Sequence, residues 1–164
     1  MRHTLARIPI CPIPPLHPDP SRQLLFLKHL QTLFNSPTLI ALEETIQIVK
    51  SLVPEFKTVS PGQLSTLNAE EFAREVYPTK YPESNDDVCF MLTSGSTGNS
   101  KAAALTHSNL LSSIRGKIKH HGSTSNSRFL NWIAFDHVAC VSEIHLQALE
   151  ANARSTDISF IPNM

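Results

Sequence analysis

The sequence is short of most features that would place a protein quickly. Its 164 residues include only three cysteines, Cys11, Cys89 and Cys140, an odd number without C-x-x-C spacing. That pattern excludes a disulfide framework, argues against a structural zinc site and fits a reducing cytoplasm. Charge of either sign is not in excess: 14 basic residues stand against 14 acidic ones. No whole-protein electrostatic case for nucleic acid or for an anionic membrane can be made. With 41% hydrophobic residues the chain is equally far from a disordered tail. No run approaches the roughly 20 apolar residues that span a bilayer. The opening residues carry two early arginines but no apolar stretch followed by small residues, so no secretory leader is expected; dense prolines argue against a transit peptide. The length suits one ordinary domain.

What the chain has is proline, unevenly placed: six of its twelve fall between Pro9 and Pro20. Proline fixes φ and removes a donor, so residues 1–20 read as an extended strap. The strap ends at a helix start, with Asp19 as N-cap and Pro20 at the first helical position. Phe26, Leu27, Leu30, Leu33 and Phe34 keep the 3–4 spacing of one buried helical face, and Asn35-Ser36-Pro37 stops it. Residues 38–53 fit either a short strand followed by a helix or one continuous helix; periodicity does not arbitrate. A strand over 56–59 closes on a Pro61-Gly62 turn, and 68–76 reads as a short helix.

The second half is more regular. Val88-Cys89-Phe90-Met91-Leu92 is the continuous apolar run of a strand covered on both faces. A helix over 109–121, capped by Ser108 or Thr106, follows. Then come a strand over 129–135 and a largely apolar helix from 136 to about 152, capped by Asp136. The tail, 154–164, shows no clear element. Strands 88–92 and 129–134 are expected to be interior members of one sheet flanked by helices, an α/β arrangement.

One stretch carries chemistry. After the buried strand comes Leu92-Thr93-Ser94-Gly95-Ser96-Thr97-Gly98-Asn99-Ser100-Lys101. Backbone N–H groups in a glycine-rich turn form an anion nest, the hydroxyls add uncharged donors and Lys101 supplies a point charge. A polyphosphate needs this set. It is not the P-loop of NTPases, because two residues separate Gly98 from Lys101. By composition alone a Ser/Gly-rich surface turn is the plainer reading.

The ordered string Thr93-Ser94-Gly95-Ser96-Thr97-Gly98-x-x-Lys101, followed by Thr106-His107, resembles the signature loop of the AMP-forming adenylating superfamily. That superfamily includes acyl-CoA synthetases and the adenylation domains of nonribosomal peptide synthetases. Ser100 stands where proline is usual and Ala102 where glycine is usual; the alanine-rich form looks like fungal synthetase-like proteins of secondary metabolism. A second segment, 129–138 with Glu143-Ile144-His145-Leu146, is similar to the family region that delivers an aromatic residue or histidine to the acid pocket, with His137 near that position and Asp136 beside it. The plainer alternative there is a helix cap and a packed histidine.

The resemblance implies a fragment of the large N-terminal domain of an adenylating enzyme, with residues 1–164 as one partial AMP-binding domain. Thr93, Ser94, Gly95, Ser96, Thr97, Gly98 and Lys101 would bind ATP phosphates, with Mg accompanying the ATP, and Asp136 and His137 would meet the acid or AMP. The family's adenine-flanking aromatic–acidic motif, ribose-binding aspartate, hinge and C-terminal lysine domain have no counterpart in this sequence, nor has a phosphopantetheine site. The expectation is therefore a truncated, ligase-like chain inactive alone, with exposed apolar surface. Its partners would be a carboxylic acid if complemented and the remainder of a synthetase, with no nucleic acid or membrane. A non-catalytic nucleotide-binding module and a subunit completed by a separate chain are the alternatives.

His137, Cys140, Glu143 and His145 share one segment, but the histidines are eight residues apart and lack the i, i+4 spacing of a helical metal pair. The basic cluster Arg115-Gly116-Lys117-Ile118-Lys119-His120-His121 reads as a solvated helix end rather than a nucleic-acid patch.

Overall fold

The computed structural model describes residues 9–65, 82–93 and 100–157. These fall into two compact units, residues 15–65 and a second unit of 9–14, 82–93 and 100–157. The helix foreseen over 68–76 lies outside the described residues.

In the first unit, helix α1 runs Pro20–Leu33. The Asp19 carboxylate accepts from the N–H groups of Ser21 at 2.8 Å and Arg22 at 3.4 Å, so two of the helix's orphan donors are satisfied. Leu27 and Leu30 are buried, Phe26 and Phe34 only half-buried. The helix ends where Asn35 and Ser36 take left-handed φ values of 51° and 63° before Pro37. The ambiguity at 38–53 resolves as strand then helix: β1 is Thr38–Ile40 and α2 is Glu43–Leu52, which buries Ile46 and Val49. Strand β2, Lys57–Val59, pairs in parallel with β1, so β1-α2-β2 is a crossover unit. The expected turn at Pro61-Gly62 is instead a short helix, α3, Pro61–Ser65. Ser60 explains it. Its Oγ accepts from the Gln63 N–H at 3.3 Å while its own N–H donates to Gln63 Oε1 at 2.8 Å, a reciprocal cap that starts a helix.

The second unit is built on β3, Asp87–Thr93. On one side β3 is bridged in parallel by Ile10 of the proline strap, through Ile10 N–H to Val88 O at 3.3 Å and Phe90 N–H to Ile10 O at 2.8 Å. On the other it pairs antiparallel with β4, Lys101–Thr106. Flanked on both sides, Val88, Cys89 and Met91 are buried, as the apolar run implied. Strand β4 is a finding the sequence did not suggest, since its alanines carry no strand signal. Helix α4, His107–His121, starts two residues earlier than expected: Thr106 Oγ1 accepts from the Asn109 N–H and Asn109 Oδ1 accepts from the Thr106 N–H, at 3.1 and 3.2 Å. Its Leu110 and Ile114 close the core over β3, joined by the half-buried Leu105, Ile118, Val141 and Leu146. Gly122, at φ 63°, supplies the left-handed C-cap that ends α4.

Three expectations are corrected here. Strand β5 is shorter than foreseen, Arg128–Asn131. The Asn131 amide turns back on the chain, Oδ1 accepting from the Ile133 N–H and Nδ2 donating to Ile133 O, both at 3.1 Å, and this local pairing ends the ladder. Strand β5 shares no ladder with β3 among the described residues; it pairs in parallel with β6, Arg154–Asp157, in a separate two-stranded sheet. The tail expected to be irregular from 154 thus begins with a strand, and 158–164 lie outside the described residues.

The helix foreseen from 136 opens later, as a π-helical segment, Ala139–His145, followed by α5, Leu146–Glu150. The Ser142 hydroxyl donates to Val138 O at 2.9 Å, a back-bond that competes with the regular helical ladder. Lys117–Glu143 and Arg115–Glu150 ion pairs, each 3.0 Å, tie α4 to this region. Two residues of the basic cluster therefore face carboxylates. Around it Leu130, Trp132, Phe135, Val138 and Leu149 are exposed, Trp132 by 71%. Among the described residues no helix is long and apolar enough to cross a membrane.

Candidate functional site

The signature loop is the connection of the β3–β4 hairpin. Thr93 ends β3, Lys101 begins β4, and the two are register partners. Thr93 Oγ1 donates to Lys101 O at 3.3 Å, closing the hairpin's mouth. Both side chains are exposed. Ser94, Gly95, Ser96, Thr97 and Gly98 lie outside the described residues. The loop thus leaves a buried strand bridged on both sides, and Lys101 is the first residue of the strand that returns. The Thr93 hydroxyl proton is thus used inside the hairpin.

The second group of candidates forms the turn between β5 and the π-helical segment. Asp136 is half-buried and His137 exposed. The cap expected from Asp136 is made by His137, whose Nδ1 accepts from the Ala139 N–H at 3.2 Å while its backbone N–H donates to Ala134 O at 3.1 Å. With Nδ1 accepting, the neutral ring carries its proton on Nε2. No hydrogen bond among the described residues joins this turn to Thr93 or Lys101.

Sequence reasoning missed what surrounds the turn. His145 packs edge-on against Phe135 with ring centroids 5.2 Å apart, and its Nδ1 is buried without a partner among the described residues. Gln147, wholly buried, donates from Nε2 to Ser123 Oγ at 2.9 Å and contacts His121 Nδ1 at 3.2 Å. Neither arrangement has a spacing signal, because both depend on how the π-helical turn rotates these side chains.

All three cysteines are free; Cys89 and Cys140 are buried and Cys11 half-buried. Burial, and secondarily the neighbouring Cys89, pushes the Cys11 thiol up to about 11, and burial likewise raises Cys89. Cys140 Sγ accepts from Asn131 Nδ2 at 3.2 Å. These are packed groups rather than nucleophiles. Among the described residues no three of His, Cys, Asp or Glu cluster as a metal site. Mg²⁺ that travels with a nucleotide takes most of its oxygens from phosphates and water, so it demands few protein ligands.

Comparison with known proteins matches this geometry to a family. The chain is 39% identical over 137 residues to the nonribosomal peptide synthetase acyN of Ascocoryne sarcoides, covering 83% of this chain and 14% of that protein. It is 36% identical over 140 residues to the microperfuranone synthase of Emericella nidulans, covering 82% and 14%. The chain thus spans about a seventh of the length of these relatives. Among solved structures, McyG A-PCP complexed with phenylalanyl-adenylate is similar with a TM-score of 0.74 at 21% identity, over 92% of this chain and 24% of that one. The adenylation domain of a keto acid-selecting NRPS module bound to keto acyl adenylate gives 0.68 at 20% identity, over 82% and 24%. At such identities these likenesses establish the fold: this α/β chain corresponds to part of the N-terminal region of an adenylation domain. The family model described as AMP-binding enzyme matches residues 22–154, and the chain belongs to that family.

Proposed function

We propose that this chain supplies the phosphate-loop portion of an ATP-dependent carboxylate-activating synthetase of the fungal synthetase-like type. The reaction is attack of a carboxylate oxygen on the α-phosphorus of ATP, forming acyl-AMP and releasing pyrophosphate. In it, Ser94, Gly95, Ser96, Thr97 and Gly98 offer N–H and hydroxyl donors to the β- and γ-phosphates, and Lys101 places a cation against the departing pyrophosphate. Such donors act by meeting charge that grows in the transition state. Thr93 holds the rim on which Lys101 sits. Asp136 and His137 contribute to the acid or AMP pocket, with Nε2 of His137 as the group open to a ligand. Mg²⁺ enters as the ATP complex, and the substrate is a carboxylic acid.

The observation that carries this reading is the Thr93–Lys101 rung: it pins both ends of the signature loop at the exit of a buried strand, in a chain matched to the family over residues 22–154.

We further propose that the 164-residue chain alone forms no acyl-adenylate. In-line attack depends on positioning from several segments, and misplacement by about 1 Å can cost roughly a hundredfold. Two measurements test the proposal. Adding ATP is expected to protect the loop from protease in the wild-type chain and not in Lys101→Ala; no protection in the wild type overturns the phosphate role. Carboxylate-dependent pyrophosphate–ATP exchange, run with aryl, keto and amino acids, is expected to stay at the Lys101→Ala background; exchange above it for any acid means the chain is an enzyme by itself. The exposed Leu130, Trp132 and Phe135 favour a second reading, that the chain works only against further polypeptide. Restoration of exchange on mixing with a separately made complementary segment supports it.

A further inference from the structure

A second cluster of cations lies at the other end of β5 from the Asp136–His137 turn. Strands β5 and β6 run parallel, and each begins with an arginine. Arg128 and Arg154 are register partners on the first rung of the ladder. In a parallel pair, register partners stand side by side on one face at a strand spacing of about 4.8 Å. Like charges placed directly across from one another are destabilising. Two other cations of the unit have carboxylate partners: Arg115 has Glu150 and Lys117 has Glu143. Among the described residues neither Arg128 nor Arg154 has a carboxylate partner, and both are exposed.

Arg128 and Arg154 border a polar recess of about 160 Å³ whose remaining walls are Ser125, Asn126 and Ser127. The loop that carries these residues is held in shape from within. The Thr124 N–H donates to Ser127 Oγ at 3.0 Å, the Asn126 N–H to Thr124 Oγ1 at 3.3 Å and the Ser127 N–H to Thr124 O at 2.9 Å. The Arg154 N–H donates to Ser127 O at 3.4 Å, fixing the loop to the start of β6. Because Ser127 Oγ accepts from Thr124, its proton remains available as a donor toward the recess. The lining therefore offers two permanent positive charges, hydroxyl donors from Ser125 and Ser127 and an amide from Asn126.

We propose that this recess binds a tetrahedral dianion, a phosphate or phosphate monoester, bridging Arg128 and Arg154. The charge fits, since two guanidinium groups match a dianion and planar forks pair bidentately with phosphate oxygens. A monocarboxylate would neutralise only one of the pair. The site is independent of the loop at 93–101 and of the function proposed above.

The test is a titration of the ¹⁵N-labelled 164-residue chain with inorganic phosphate at constant ionic strength, reading the Nε–Hε signals of Arg128 and Arg154. Saturable shifts of both are expected, with Arg128→Gln and Arg154→Gln each weakening binding about tenfold. Glycerol 3-phosphate forms the second arm: equal affinity assigns the site to the free dianion, and tighter binding assigns it to a phosphorylated small molecule. Lys101→Ala should leave the arginine titrations unchanged. The proposal is overturned if the shifts are linear in concentration, if chloride or acetate reproduces them, or if they vanish in Lys101→Ala. Reading the wild-type signals keeps the proposal testable even where a substituted chain folds poorly.

Discussion

Thr93 and Lys101 face each other across the last rung of the β3–β4 hairpin, and the Thr93 hydroxyl donates to the Lys101 carbonyl oxygen at 3.3 Å. One residue therefore sets the rim while the other carries the charge, and substitutions should separate the two roles. Lys101→Ala removes the cation and should weaken ATP binding about tenfold, the scale of a charge-assisted contact. Thr93→Val keeps the strand and the shape but loses the closing bond, and a neutral hydrogen bond at an exposed site should cost about threefold or less. Calorimetric titration of both variants checks the order. If Thr93→Val proves the more damaging, the hydroxyl contacts the nucleotide directly and the rim reading is wrong.

How much of this was legible in the sequence depends on where the determining contacts lie. Asp19-Pro20 announced its helix because both signals act within one turn, and the run at 88–92 announced a covered strand because apolar continuity needs no partner to be read. The signature at 93–101 was legible for the same reason, as an ordered local string. Three elements were not. Strand β4 has alanines at Ala102, Ala103 and Ala104 and exists because β3 offers it an open edge. Strand β6 needs β5 across 26 residues of chain, from Arg128 to Arg154. The cap at 137 went to the wrong residue because Asp136 has the better capping chemistry, whereas the π-helical start brings His137 Nδ1 onto the Ala139 N–H. The Ser60–Gln63 cap, by contrast, is a local signal three residues apart, and it prevails over the turn signal of Pro61-Gly62.

The core of the second unit gives a stability prediction with an internal control. Ile114 is 3% exposed and packs in the cluster of Val88, Cys89, Met91 and Leu110, whereas Leu111, three positions earlier on the same helix, is 38% exposed. Ile114→Ala should cost about 2–5 kcal/mol through lost contacts and the cavity left behind. Leu111→Ala should change stability by about 0.5 kcal/mol or less. Urea unfolding followed by far-ultraviolet circular dichroism measures both. Equal costs would mean that α4 does not bury the face described.

Alkaline pH should destabilise the strap's attachment to β3. The Cys11 thiol is pushed from its ordinary 9.0 up to about 11 by burial and then by Cys89. Between those values the unfolded chain has lost the proton while the folded chain still holds it. The stabilising contribution is thus complete below pH 9 and is lost as pH rises through 11. Cys11→Ala should flatten the fall in urea midpoint across that window without abolishing it, because Cys89 is raised in the same direction. Native-state alkylation of Cys11 should be slow at neutral pH and accelerate only toward the raised value. Rapid alkylation at neutral pH would show that the thiol is not held among apolar neighbours.

Trp132 offers the most direct check on the surface around the β5 exit. It is the chain's only tryptophan and is 71% exposed, next to exposed Leu130 and Phe135. Strand β5 ends one residue earlier, where Asn131 pairs with Ile133, so the indole is carried on a turn rather than on a covered face. Its emission should sit at the long-wavelength position of a hydrated indole and be quenched by iodide in the folded chain as efficiently as in urea. Trp132→Ser removes no buried contact and should alter stability by about 0.5 kcal/mol or less. It should also reduce concentration-dependent self-association, since an apolar stretch left in water promotes it. A short-wavelength emission protected from iodide would mean that this side chain is covered, by another copy or by the chain itself, and that the exposed stretch described here is closed in solution. Dilution then separates the two: protection lost on dilution points to a second copy, and protection that persists points to the chain itself.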